Sequence, residues 1–227
     1  MLEPTPVSMR RLALAGVVAN TVIMSTGAAV RLSASGLGCP DWPQCSTADI
    51  VASKNAGQTL LNTWIEFGNR LLNFPLVVIA VLIFVAAWRF RPDGPAPGTP
   101  GTGRRRDLVW LGAAQPLGVL AQAVIGGIVV LTKLSPAAVS VHFLVSAAVV
   151  AAAVALHMRC TEIARTPGES QTVTVRRDLR LMATALVAVT GVMLAAGTVV
   201  TGTGPLAGDA GVPRYQRSEE RRVGKEC

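Results

Sequence analysis

Five stretches of the chain are almost continuously apolar: Leu12–Val30, Leu71–Trp88, Leu108–Leu131, Ala137–Met158 and Leu181–Val200. Each is close to the roughly 20 residues needed to cross a bilayer. In hydrocarbon every backbone N–H and C=O must find its partner within the segment, so each block predicts a spanning helix. Pro75 and Pro116 predict kinks that neighbouring helices repair. The first block does not read as a cleavable signal peptide. It is longer than a typical apolar signal region, lacks a small-residue exit into a soluble domain, and is followed by four more blocks.

Composition strengthens this picture. Hydrophobic residues make up 51% of the 227 and charged residues 15%, with a mean hydropathy of +0.47. A soluble domain carries about 25% charged residues, so this chain has too few to cover a water-facing surface. The formal charge of +8 raises the question of nucleic acid, but its distribution answers otherwise. Before residue 214, twelve Lys and Arg fall in the N-terminus and in the loops Arg89–Arg106 and Arg159–Arg180, against four (Arg31, Lys54, Arg70 and Lys133) on the other side. That bias is the positive-inside pattern. It predicts a cytoplasmic N-terminus (1–10), an external loop 31–63, a Pro/Gly-rich cytoplasmic linker 89–107, a cytoplasmic loop 159–180 and an external exit after Val200. Arg104–Arg106 is then a topology anchor, and no nucleic-acid partner is expected.

The outer end of the first span reads STGAAVRLSASGLG and that of the fifth AAGTVVTGTGPLAGD, while the third closes with GGIVVLT. A Gly, small and β-branched residues, and a polar Gly-rich exit recur in the first and fifth about 170 residues apart. The repeat suggests a duplicated four-helix unit. The expected fold is therefore an all-α, polytopic transmembrane bundle: a four-helix unit over 11–158, then the fifth helix and exit over 181–215, as the first helix of a second, truncated unit. The last residues, QRSEERRVGKEC (216–227), are highly charged and aperiodic, and read as a non-native tail.

Three groups of residues could carry chemistry. Cys39 and Cys45 enclose Pro-Asp-Trp-Pro-Gln in the external loop, where the oxidising side of a membrane favours a disulfide. A loop staple, a redox pair exchanging with an outside thiol carrier and, more weakly, a metal site are all open. Glu66, Asn69 and Arg70 follow at i, i+3 and i+4 and share one helix face at the outer entrance of the second span. A carboxylate at a membrane edge is a functional candidate, although Thr63-x-x-Glu66 also fits a helix capping box. His142 lies about one turn inside the fourth span from the outside, as a packing residue or as a metal or haem ligand. His157, at the inner end of the same span, suits the negative helix terminus. The second and fourth spans run in the same direction, so Glu66, Asn69 and His142 share the external end.

Taken together, SGLGCPDWPQC, IEFGNR, QAVIGGIVVLTKLSP, VSVHFLVS and GTGPLAGD resemble the haem A synthase family over about residues 11–215, with a composition similar to actinobacterial members. The resemblance implies an eight-helix bacterial plasma-membrane enzyme of two similar halves. Such enzymes oxidise the C8 methyl of haem O to the formyl of haem A, by successive hydroxylations and loss of water, with a bound haem b, and supply cytochrome aa3-type oxidases. By position, Cys39 and Cys45 match the family's loop cysteines, Glu66 its catalytic acid and His142 a haem-iron ligand. Arg70 suits a haem propionate. Asn69 stands where many members have histidine, so two-histidine ligation is not expected here. Helices 6 to 8 and the main haem b site are expected to be missing, and the chain alone to be inactive. Haem O synthase and cytochrome c oxidase assembly factors are the implied protein partners, and lipid the surroundings.

Two other functions compete. A cytochrome-b-like electron-transfer module needs a facing histidine pair, yet His142 and His157 sit on one helix, about 22 Å apart at about 1.5 Å per residue. A thiol-redox assembly factor favours Cys-x-x-Cys at a helix start rather than a Pro-rich loop.

Overall fold

A computed structural model describes residues 3–45, 59–91, 105–164 and 175–203. The rest of the loop after the cysteines (46–58), the linker DGPAPGTPGTG, residues 165–174 of the loop between the fourth and fifth spans, the exit from residue 204 and the tail 216–227 lie outside the described residues. So do the second half of the fifth-span repeat and the run from Gly204 to Asp209.

The described chain is all-helical: α1 (Pro6–Leu32), α2 (Leu60–Leu71), α3 (Asn73–Arg89), α4 (Arg106–Leu131), α5 (Pro136–Ile163) and α6 (Arg177–Thr203). Five helices are long and apolar enough to cross a membrane, with α2 and α3 together forming one of them, Leu60–Arg89. The chain is a multi-pass membrane protein.

Local chemistry sets the helix ends. At the start of α1, Ser8 N–H donates to Thr5 Oγ1 (3.1 Å) and Thr5 N–H to Ser8 Oγ (2.9 Å), a reciprocal cap with Pro6 at the first helical position. The second span begins earlier than its apolar block suggests. Asn62 N–H donates to Thr59 Oγ1 (3.2 Å), so Thr59 caps α2. Thr63 lies one turn inside the helix and donates its hydroxyl back to Thr59 O (3.3 Å). The Thr63–Glu66 capping box is thus not formed, because the true cap sits four residues upstream. Ahead of Pro75 the helix is interrupted for one residue at Leu72, which keeps right-handed helical angles (φ −63°, ψ −16°), and Asn73 Nδ2 reaches back to Arg70 O (3.0 Å). Pro116, by contrast, sits inside an uninterrupted α4.

The C-terminal ends of α1 and α4 close in the same way. Ser35 N–H reaches Val30 O (3.0 Å) and Ala34 N–H reaches Arg31 O (3.2 Å), with Ala34 at φ 53°. At α4, Leu134 N–H reaches Val129 O (2.8 Å) and Lys133 N–H reaches Val130 O (2.9 Å), with Lys133 at φ 51°. Both are Schellman caps that satisfy the last helical carbonyls, and Leu134 adds the apolar contact back to Val129 that accompanies the motif. These two exits share one hydrogen-bond geometry.

The chain divides into two compact units. The first comprises 1–26, 70–124 and 145–176. Its core is built from α1, α3, α4 and α5 around Met9, Ala13, Ile83, Ala87, Leu108, Leu156 and Cys160. Glycines let the backbones approach. A Cβ on Gly112 would fall 2.8 Å from that of Ala87, and one on Gly118 2.7 Å from Val149 Cγ2. Deep in this unit Asn20 Nδ2 donates to its own helix at Gly16 O (2.8 Å) and to Gln115 Oε1 on α4 (3.3 Å).

The second unit comprises 27–69, 125–144 and 177–227. It holds the C-terminal end of α1 and the cysteine loop, most of α2, the turn joining α4 to α5, and α6. Around the turn, Leu134 packs with Leu37, Val129 and Val139. Among the described residues of α6 only Thr198 and Gly202 are buried.

Candidate functional site

In the second unit the sequence following α1 returns to lie against α2. Gly38 makes this possible: a Cβ there would fall 2.6 Å from Asn62 O and 2.9 Å from Thr63 Cα. Backbone atoms cannot yield as a flexible side chain can, so only glycine fits. The close approach brings the next residue, Cys39, onto the polar face of α2, where its N–H donates to Glu66 Oε2 at 2.9 Å. Glu66 is 6% exposed. Burying a carboxylate is costly unless hydrogen bonds hold it, and the loop backbone supplies one.

Cys39 and Cys45 are joined as a disulfide. Both are buried, at 0% and 2% exposure, so neither sulfur is offered to an outside thiol. The loop also carries Trp42, whose ring lies on α4. A Cβ at Gly127 would sit 2.8 Å from Trp42 Cδ2. The neighbouring Gly126 does the same for His142, with a Cβ there falling 3.4 Å from His142 Cε1. The adjacent glycines of α4 thus seat the loop tryptophan and the α5 imidazole. His142 lies six residues past Pro136, between one and two turns into α5.

Of the residues singled out beforehand, Cys39, Cys45, Glu66, Asn69 and His142 all fall in the second unit. Asn69 points toward α1, its Nδ2 lying 3.9 Å from where a Gly27 Cβ would be. Direct contact is seen between Glu66 and the cysteine loop. Arg70, next along α2, belongs to the first unit. Trp42 and the Gly126–Gly127 pair were not singled out as site residues. A double glycine inside an otherwise bulky helix was the available signal, since small residues in a membrane helix mark close approach.

The buried carboxylate, the disulfide-bonded loop and the imidazole all stand on a polytopic helical membrane protein. Residues 10–216 match the family described as cytochrome oxidase assembly protein (COX15-CtaA), and the chain belongs to it. Among curated proteins, the Heme A synthase of Geobacillus thermodenitrificans is 26% identical over 120 residues. The match covers 52% of this chain and 32% of that relative's length. No solved structure matches.

Proposed function

We propose that this chain carries the haem O-recognising part of a haem A synthase, the enzyme that oxidises the C8 methyl of haem O to the formyl of haem A for cytochrome aa3-type oxidases. The membership of the cytochrome oxidase assembly family and the Heme A synthase relative support the reading. The observation that carries it is Glu66: a buried carboxylate on a membrane helix that accepts the Cys39 N–H of a disulfide-bonded loop. Ionisable side chains within membrane segments are costly to keep and mark functional sites, so a chemical role is the better account.

The residues fit a haem held through a single imidazole. His142, seated against Gly126, is the residue that would hold the iron. Asn69 offers an amide, a poor iron ligand, and His157 stands about 22 Å further along α5 at about 1.5 Å per residue. Ligation by two histidines of this chain does not fit. A haem b bound in the enzyme supplies redox chemistry. The chain's own residues hold a carboxylate at the reaction end, fix the loop above it and orient the imidazole. Arg70, with its planar fork, is proposed for a haem propionate. Haem O synthase and cytochrome c oxidase assembly factors are the proposed partners.

The test reads binding rather than turnover. The purified chain in detergent is titrated with haem O and followed in the Soret band. The wild type is expected to bind with a ligand-dependent spectral shift, and His142→Ala to lose the shift while keeping its helical content. A Soret spectrum identical in the two proteins would remove His142 from the iron and sink the haem reading of this site.

A further inference from the structure

Away from the cysteine loop, the first unit has a groove between α1 and α3 with a volume of about 540 Å³. That size falls in the range of about 300–1,000 Å³ typical of small-molecule sites. On α1 it is lined by Arg11, Ala15, Ala19 and Ile23, on α3 by Leu76 and Ile79 among others, with Leu72 just ahead of α3. These positions recur at helical spacing, so the lining is a continuous stripe on each helix. The alanines leave the floor low while the larger residues form the walls. From Arg11 to Ile23 the groove runs about 18 Å at about 1.5 Å per residue. A bilayer's apolar core is about 30 Å thick, so the groove spans slightly more than one leaflet.

Its chemistry is lopsided. Ten of the lining residues are apolar and the eleventh, Arg11, is charged and closes one end. Arg11 is exposed and has no ion pair among the described residues. A guanidinium at a membrane edge presents its donor fork to whatever oxygen anion lies there. An occupant must therefore be a long apolar chain ending in an anion at the depth of the headgroups.

We propose that the α1–α3 groove is a seat for one anionic phospholipid, an acyl chain lying on Ala15 and Ala19 and the headgroup phosphate held by Arg11. The site is distinct from the cysteine loop and Glu66, and does not rest on the haem reading.

Native mass spectrometry of the full chain released from micelles tests it, with dioleoyl phosphatidylglycerol, dioleoyl phosphatidylcholine or oleate added in separate arms. The wild type should retain one phosphatidylglycerol over phosphatidylcholine by about five-fold, the advantage expected of one juxtamembrane arginine. Arg11→Gln should erase that preference, and Arg10→Gln, the same charge change about 100° around the helix, should keep it. Ala19→Phe, which fills the floor, should lose the retained lipid of both kinds. Should it fail to fold, Val22→Trp on the exposed wall asks the same question. Equal retention of the two phospholipids by the wild type would overturn the proposal. So would a preference that Arg10→Gln lowers as much as Arg11→Gln, or stronger retention of oleate than of phosphatidylglycerol.

Discussion

At the scale of single residues, Glu66 and Gly38 act as one device. Glycine lets the loop backbone reach α2, and the carboxylate accepts the N–H that arrives there. Removing the acceptor leaves a buried donor unpaired. Glu66→Ala should therefore cost about 1.5–3 kcal/mol, and Glu66→Gln, which keeps an acceptor oxygen, about 1 kcal/mol or less. Thermal unfolding in detergent reads the difference, and amide exchange at Cys39 should quicken in the alanine variant alone. Equal losses in both variants would mean that charge, not the hydrogen bond, is what the loop requires. Gly38→Ala forces a methyl into Asn62 O and should cost about 1–3 kcal/mol, read as a lower Tm with an intact disulfide. The face shared by Glu66, Asn69 and Arg70 was legible in their spacing. The partner of Glu66 was not: it is a backbone donor 27 residues away, and a backbone N–H carries no side-chain signature.

Among the elements, hydropathy found every span but misplaced the second, because LLNTWIEFGNR mixes polar and apolar residues and does not read as a membrane block. The start of that helix rests on Thr59, whose hydroxyl accepts the backbone N–H of residue 62, and a lone threonine is a weak signal. The caps of α1 and α4 were harder to see. Their left-handed positions hold Ala34 and Lys133 where glycine is usual, so the residue type gives no warning. A left-handed non-glycine residue costs roughly 1–2 kcal/mol, part of which glycine returns as greater freedom in the unfolded chain. Lys133→Gly should consequently stabilise the protein by about 0.5–1 kcal/mol, seen as a higher Tm. A lower Tm would show that the lysine side chain contributes more than its backbone conformation costs.

For the whole molecule, the five spans follow from length and composition, and their direction follows from charge. Nothing in a helix's packing says which end faces the cytoplasm. The asymmetry of twelve basic residues against four does, because cationic loops resist transfer across the membrane. We propose a cytoplasmic N-terminus on that ground, which puts the turn joining α4 to α5 outside together with the cysteine loop, where an oxidising compartment maintains the disulfide. Single cysteines at Glu3 and Lys133, both exposed, separate the orientations in a Cys160→Ser, Cys227→Ser background. In intact cells a membrane-impermeant maleimide should label Lys133→Cys and leave Glu3→Cys untouched until the membrane is opened. The reverse pattern would place the cysteine loop and Glu66 at the cytoplasmic surface, where thiols are kept reduced. A loop held by a disulfide would then lack the conditions that maintain it, and the proposed site with it.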